Sequence, residues 1–210
     1  MSVANGRSGR RPSSRMSALN PHSSGFAAFS DTLYTGVLVF ALALPVVTWF
    51  AALSAGVEEM RDSRIEDRHV HARRVWAAFV DRVRRHPLSH VVVPVALTAL
   101  VIVDVVLLPY VAPGELWATV IPVVLAAGLG AVALRVAGAW RRGQAPRRSL
   151  AIAWRRMSDD AGGSALLALA VVTAGCLVAV APMLAIVVFG PVALAAVAMD
   201  RRAERVEELA

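Results

Sequence analysis

An acidic residue inside an apolar stretch is the most chemically suggestive feature of this 210-residue chain. Asp104 lies in residues 91–111, which are otherwise uncharged. It is about seven residues, or roughly 10 Å, from the nearer end of this stretch. A carboxyl inside a bilayer costs about 2.5–3.5 kcal/mol on insertion scales, so it is a candidate for proton transfer or ligand binding. It can equally join helices as a protonated or hydroxyl-bonded side chain. The sequence leaves both interpretations open.

Four histidines suggest metal binding, but their context argues against it. His86 and His90 are spaced to share one face of a helix, yet Pro87 between them favours a helix that starts there. His69 and His71 form a second pair. Neither pair has the cysteines or clustered carboxylates that complete a zinc site. We therefore predict solvated histidines at a membrane interface, with no metal.

The sequence offers no catalytic constellation. It lacks a glycine-rich phosphate loop, a nucleophile with a base in a suggestive context, and paired carboxylates. The single cysteine, Cys176, lies in an apolar run, so no disulfide can form within the chain. These observations predict a protein that is not an enzyme and needs no cofactor.

The apolar runs predict an all-α membrane protein. Residues 161–199 contain no charge in 39 positions. One helix of that length would measure nearly 60 Å, about twice the ~30 Å hydrocarbon core of a bilayer. The run therefore predicts two spans joined by a turn near Ala181-Pro182-Met183. With three earlier runs, the first kinked at Pro45, we predict five transmembrane helices at about 33–57, 91–111, 116–138, 164–181 and 183–199.

Two arginine-rich segments predict amphipathic helices on the membrane surface. In residues 73–85 the apolar side chains recur at helical spacing, opposite the arginines. Such a helix lies along the membrane with Trp76 and Phe79 toward the lipid. Residues 149–157 form a second candidate. A surface helix followed by two spans thus occurs in 72–138 and in 147–199, either by duplication or by chance.

The charges predict how the chain is oriented. All 22 basic residues are arginine, the net charge is +7, and mean hydropathy is +0.60. The arginines lie between apolar runs, where membrane topology explains them better than nucleic acid binding. The positive-inside rule places 58–90, 138–160 and the tail 201–210 in the cytoplasm, and the arginine-free turn 112–115 outside. The arginines can act through topology alone, or also contact anionic lipid or a partner.

The N-terminal segment conflicts with this orientation. Residues 1–30 are polar and predict a disordered tail. Five spans place this tail outside, although its first 15 residues contain four arginines. Either translation starts at Met16, leaving 1–15 untranslated, or the first apolar run turns back at Pro45. We favour the internal start.

Small residues at four-residue spacing predict close packing between helices. Ala52 and Gly56 form one such pair, and Ala126 and Gly130 form another. Small side chains let helix backbones approach each other closely within a membrane. We therefore interpret both pairs as packing contacts.

Residues 16–210 resemble the YesL-like family of bacterial integral membrane proteins, a group without an assigned biochemical activity. The resemblance depends on Leu44-Pro45-Val46-Val47-Thr48, on its spacing to Trp76-Ala77-Ala78-Phe79, and on Asp104 in the next span. Phe189-Gly190-Pro191 in the last span adds to it. Trp49 departs from the pattern, because family members often have a small aliphatic residue and then glycine at this point.

The resemblance implies a five-span protein of the bacterial cytoplasmic membrane, often encoded beside sugar uptake systems of the ABC type. We therefore expect an accessory or regulatory protein that contacts permease subunits and the lipid bilayer. The alternative is a small stand-alone transporter or channel that uses Asp104. The candidate functional residues are Asp104, Trp76, Phe79, Pro45 and Thr48.

Overall fold

The structure, a computed structural model, describes residues 24–111, 113–141 and 143–209. Within these ranges the chain is helical and contains no strand. The helices are α1 Ser24–Ala43, α2 Trp49–Ile65, α3 Ala72–Arg85, α4 Val93–Val111, α5 Leu116–Ala139, α6 Pro146–Asp159, α7 Ala161–Val180 and α8 Ala185–Leu209.

Five helical segments are long and apolar enough to cross a membrane by length and composition. They are Gly25–Ala43, Leu88–Leu108, Leu116–Ala139, Ala161–Val180 and Pro182–Arg205. The prediction of an all-α membrane protein with five such helices is therefore confirmed, together with the two amphipathic helices α3 and α6.

The predicted first span, 33–57, is wrong in its bounds because the helix breaks at Pro45. The hydroxyl of Thr48 donates to the carbonyl of Leu42 at 2.8 Å, and the Thr48 amide donates to the carbonyl of Pro45 at 3.2 Å. These bonds close a turn after which α2 folds back along α1. We call α1, this turn and α2 the hairpin.

The hairpin also revises the predicted N-terminal tail. Helix α1 begins at Ser24, so residues 24–30 are helical and not disordered. The side chains of Asp31 and His69 lie 3.3 Å apart, which places the start of α1 beside the end of α2. The proposed start at Met16 lies outside the described residues.

Helix α2 forms the centre of the core. Thirteen of its 17 residues are buried, so its neighbours surround it on nearly every side. Its apolar half packs against Ala131 and Leu134 of α5 and against Ala193 and Val197 of α8. Helix α2 therefore lies inside the bundle, although it carries few apolar residues beyond Val57.

Helices α1 and α8 touch through glycine. A Cβ atom on Gly36 would lie 2.8 Å from the backbone nitrogen of Gly190, and one on Gly190 would lie 2.3 Å from the carbonyl oxygen of Thr32. Only hydrogen fits in this space, so the two backbones approach each other directly.

The predicted packing contacts are confirmed for the pair Ala52 and Gly56 and for Gly130, whereas Ala126 is only partly buried and lines a cavity. A Cβ on Gly56 would lie 2.3 Å from Val39 in α1, and one on Gly130 would lie 2.6 Å from Val171 in α7. Both glycines thus sit where another helix leaves no room for a side chain.

The predicted turn between the last two apolar helices is also confirmed. Helix α7 ends at Val180, and a short 3₁₀ turn, Pro182–Leu184, leads into α8. Helix α8 then continues through Asp200 to Leu209, so the prediction of a separate tail at 201–210 is wrong.

Candidate functional site

Asp104 lies on α4, the helix with the least buried apolar surface. Only 6% of the apolar segment Leu88–Leu108, which includes most of α4, is buried. Asp104 is partly exposed and shares a face of α4 with Leu100 and Val101, four and three residues earlier. The hairpin reaches α4 six residues before Asp104, at Thr98, whose hydroxyl accepts a hydrogen bond from the Trp49 indole at 3.2 Å.

The carboxyl of Asp104 therefore lies beyond the reach of the hairpin. It is about 9 Å further along α4 than Thr98. Within the described ranges it forms no hydrogen bond and no ion pair. A carboxyl inside a bilayer is costly until a hydrogen-bond donor reaches it.

Pro45 and Thr48 form the tip of the hairpin and have a structural role. Trp49, the departure from the YesL-like pattern, packs beside them and reaches α4 through its hydrogen bond to Thr98. The Leu-Pro-Val-Val-Thr segment thus builds a turn, and its functional contribution is to position the hairpin.

Trp76 and Phe79 have different surroundings, although both were predicted to face the lipid. Trp76 is 56% exposed on the outer side of α3. Phe79 packs inward against the core clusters around α2, so its prediction is wrong. Trp154 of α6 is 67% exposed and provides a second outward tryptophan, which lay within the second predicted helix but was not singled out.

Sequence reasoning missed a set of buried ion pairs at the arginine-rich end of the bundle. We call them the arginine layer. It consists of four pairs, Glu58–Arg82, Glu59–Arg68, Arg135–Asp160 and Arg156–Asp200. The signal in the sequence is the pair of carboxylates Glu58 and Glu59, directly after an apolar run.

The Glu58–Arg82 pair attaches α3 to α2. Both side chains are only 2–3% exposed. Arg82 also donates to the carbonyl of Ala78 at 3.0 Å, and its guanidinium lies 6.0 Å from the centre of the Trp140 ring. Arg82 therefore lies inside the bundle, and the prediction that the arginines of this helix lie opposite its apolar face is wrong for this residue.

Asp200 gathers two arginines from other segments. It pairs with Arg156 of α6 and accepts a hydrogen bond from Arg141 at 3.0 Å. Arg141 also reaches Glu204, one turn further along α8, at 2.8 Å. The charged end of α8 thus holds α6 and the α5–α6 connection in place.

Asp160 joins three elements between α6 and α7. Its carboxylate accepts a hydrogen bond from Arg135 of α5 at 3.0 Å and caps α7 by accepting the Gly163 amide at 2.9 Å. Burial raises the pKa of Asp160, but the hydrogen bonds from Arg135 and Gly163 and the nearby arginine charges outweigh it and lower the pKa below its usual value.

Arg61 closes the end of α5. Its guanidinium donates to the carbonyls of Gly138 and Trp140, both at 3.1 Å, which are among the last acceptors of that helix. Burial and the neighbouring Arg141 charge lower the pKa of Arg61, while nearby carboxylates oppose this shift. Arginine remains charged in spite of the shift because its usual pKa is so high.

The histidines His86 and His90 belong to an aromatic cluster, and His90 is only 1% exposed, so the prediction of solvated histidines is wrong for His90. The His90 ring lies 4.4 Å from the ring of Trp140 and 5.5 Å from that of Phe50. As predicted from Pro87, α3 ends before this pair, and a π-helical turn at Leu88–Val92 leads into α4. No group of three potential metal ligands occurs in the part of the chain that the structure describes.

The site combines a buried layer of ion pairs with exposed side chains on the helices that these pairs attach. The eight charged residues of the arginine layer are fixed to one another in pairs, while Asp104 is partly exposed and Trp76 and Trp154 are exposed. No family model, curated protein or solved structure matches this chain.

Proposed function

We propose that this protein is an accessory subunit that assembles with another membrane protein through α4. The observation that carries this proposal is Asp104, a carboxyl with no partner among the described residues, on a helix that is almost wholly unburied. Interhelical hydrogen bonds in membranes contribute about 0.6–2 kcal/mol. The expected partner is a transmembrane helix with a hydroxyl, amide or basic side chain at the depth of Asp104.

The arginine layer supports this role at the membrane surface. It fixes α3 and α6 to the bundle through buried pairs, so Trp76 and Trp154 are presented on rigid elements. Exposed tryptophan on a rigid helix is typical of protein contacts and of membrane interfaces. These two residues provide the second contact with lipid or with the partner.

The resemblance to the YesL-like family suggests which partner to test. It favours the permease subunits of a carbohydrate uptake system of the ABC type, in a bacterial cytoplasmic membrane. This assignment depends on the hairpin motif Leu44–Thr48 and its spacing to Trp76 alone.

The test is co-purification with tagged permease subunits of the sugar uptake system encoded nearest to this gene. Replacing Asp104 by Leu removes the acceptor and should reduce retention about three- to thirty-fold. The matched control is Glu115→Gln, because Glu115 is an exposed carboxylate at the start of α5. Equal retention of the Asp104 variant and the wild type would contradict the proposal.

Reconstitution of the purified protein in liposomes distinguishes an accessory role from transport by the protein itself. An accessory protein moves no sugar when it is reconstituted alone in liposomes. If the isolated protein moves sugar and Asp104→Leu abolishes this movement, the protein is a transporter and the accessory role is contradicted.

A further inference from the structure

An apolar cleft of about 830 Å³ opens between the hairpin, α4 and α5. Its walls include Trp49, Phe50, Thr98, Val101 and Ala126. The volume lies within the range of about 300–1,000 Å³ that is usual for small-molecule sites. Because apolar cavities stay free of water, hydrocarbon is the occupant that suits these walls.

One end of the cleft is charged. Arg147, in the first turn of α6, lines this end, and its guanidinium has no ion-pair partner in the described ranges. The adjacent Arg148 is also exposed but does not line the cleft. The first turn of a helix carries a partial positive charge, which favours an anion.

A buried polar atom lies in the wall of the same cleft. His90 is only 1% exposed, and its Nε2 atom has no hydrogen-bond partner among the described residues. Its Nδ1 atom is 3.0 Å from the Ser89 hydroxyl. Buried polar atoms are normally paired, so an atom of this kind indicates a polar group that the protein itself does not provide.

We propose that this cleft binds one anionic membrane lipid. The acyl chain lies along the apolar walls, and the phosphate lies at Arg147 and the first turn of α6. The lipid fills the space between the hairpin tip and α4, and so supports the helix that presents Asp104. The site does not depend on the identity of any partner protein.

Native mass spectrometry of the purified protein with added phosphatidylglycerol or phosphatidylcholine tests the site. We expect the wild type to retain one phosphatidylglycerol molecule in preference to phosphatidylcholine. Ala126→Trp fills the cleft and should lose this lipid. Ala99→Trp, on an exposed part of α4 outside the cleft, should retain it. Retention by the Ala126 variant equal to that of the wild type would overturn the proposal.

The arginine pair provides a test that leaves the walls unchanged. Arg147→Gln should reduce the preference for phosphatidylglycerol over phosphatidylcholine about five-fold. Arg148→Gln should keep it. An equal effect of the two substitutions would overturn the proposal, because it would show that the charge acts through the membrane surface and not through the cleft.

Discussion

The two surface helices, α3 and α6, bury matching positions against different neighbours. Each has 14 residues, and in each the fourth and eleventh residues are buried: Val75 and Arg82 in α3, Ser149 and Arg156 in α6. Arg82 pairs with Glu58 of the preceding helix, whereas Arg156 pairs with Asp200 of α8, which follows later in the chain. The same pattern of buried positions therefore attaches α3 to α2 and α6 to α8.

The difference teaches how the partner of an amphipathic helix is chosen. The periodicity of α3 and α6 determines which face turns inward, but a buried acid determines where each helix docks. Glu58 and Asp200 supply these acids from opposite directions along the chain. A duplicated surface helix would need only a new acid to acquire a new position in the bundle.

The largest expected effect concerns the side of the membrane on which both surface helices lie. After replacement of Cys176 by Ser, single cysteines at Gly25, Arg74 and Arg148 should be protected from a membrane-impermeant maleimide in intact cells. A cysteine at Glu115 should react fully. The reason is the arginine distribution, together with the hairpin that brings the start of α1 to the arginine-rich end.

The cysteine at Gly25 distinguishes the two explanations of the N-terminal segment. Its protection agrees with a first apolar run that turns back at Pro45. Its labelling together with Glu115 would instead support the outside N-terminus that the sequence favoured. Lysed cells, in which all positions should react, provide the control.

The next largest effect is on stability, and it should differ between the two attachments. Arg82→Met breaks a fully buried pair and should cost about 3–5 kcal/mol. Arg156→Met should cost about 1.5–3 kcal/mol, since Asp200 keeps its bond to Arg141. Thermal unfolding in detergent measures both, at roughly 2–4 °C per kcal/mol. A larger loss for Arg156→Met would show that the attachment of α6 to α8 is the stronger one.

A third prediction concerns the end of α6, where Asp160 joins Arg135. Asp160→Asn keeps the helix cap but removes the charge, so it should cost about 1.5–3 kcal/mol at neutral pH. Because the pKa of Asp160 is lowered by folding, its contribution is full above the unfolded pKa of about 3.9 and is lost as the pH falls through the folded value. The Tm difference between variant and wild type should therefore shrink below about pH 4. A constant difference would show that the charge of Asp160 is not its cause.

The smallest effect on stability is expected from the exposed tryptophans. Trp76→Ala and Trp154→Ala should each change the free energy of unfolding by no more than about 0.5 kcal/mol, because both side chains point outward. Binding to vesicles and retention of permease subunits provide the functional measurements. Phe79→Ala is the contrasting variant, since its packing against the core predicts a loss of stability as well. Unchanged binding in both tryptophan variants would show that neither helix contributes a contact.

The apolar helices and the glycine contacts could be predicted because they depend on local composition. A run of 39 uncharged residues specifies two spans, and Gly56 and Gly130 mark close approaches wherever the partner helix lies. The hairpin was harder, because a proline in an apolar run can either kink a helix or end it. The helix ends before Pro45 and the chain folds back because α2 is buried, and this burial depends on helices distant in sequence.

The arginine layer could not be predicted for the same physical reason. An arginine on an amphipathic helix normally faces water, and Arg82 differs only because Glu58 is available inside the bundle. Periodicity records which side chains are apolar, not which charges meet. Asp104 was identified from its surroundings in the sequence, but only the positions of the hairpin and α4 show that no described residue pairs with it.

The contact between Gly36 and Gly190 has a consequence for biosynthesis. Helix α1 emerges from the ribosome long before α8, the neighbour with which it shares its most extensive interface. At about 5–20 residues per second, the interval between the two glycines is on the order of ten seconds. During that time the groove of α1 around Gly36 is open to lipid or to the insertion machinery. The nascent bundle therefore stays unfinished until α8 arrives, and a chain that ends before α8 leaves this groove uncovered.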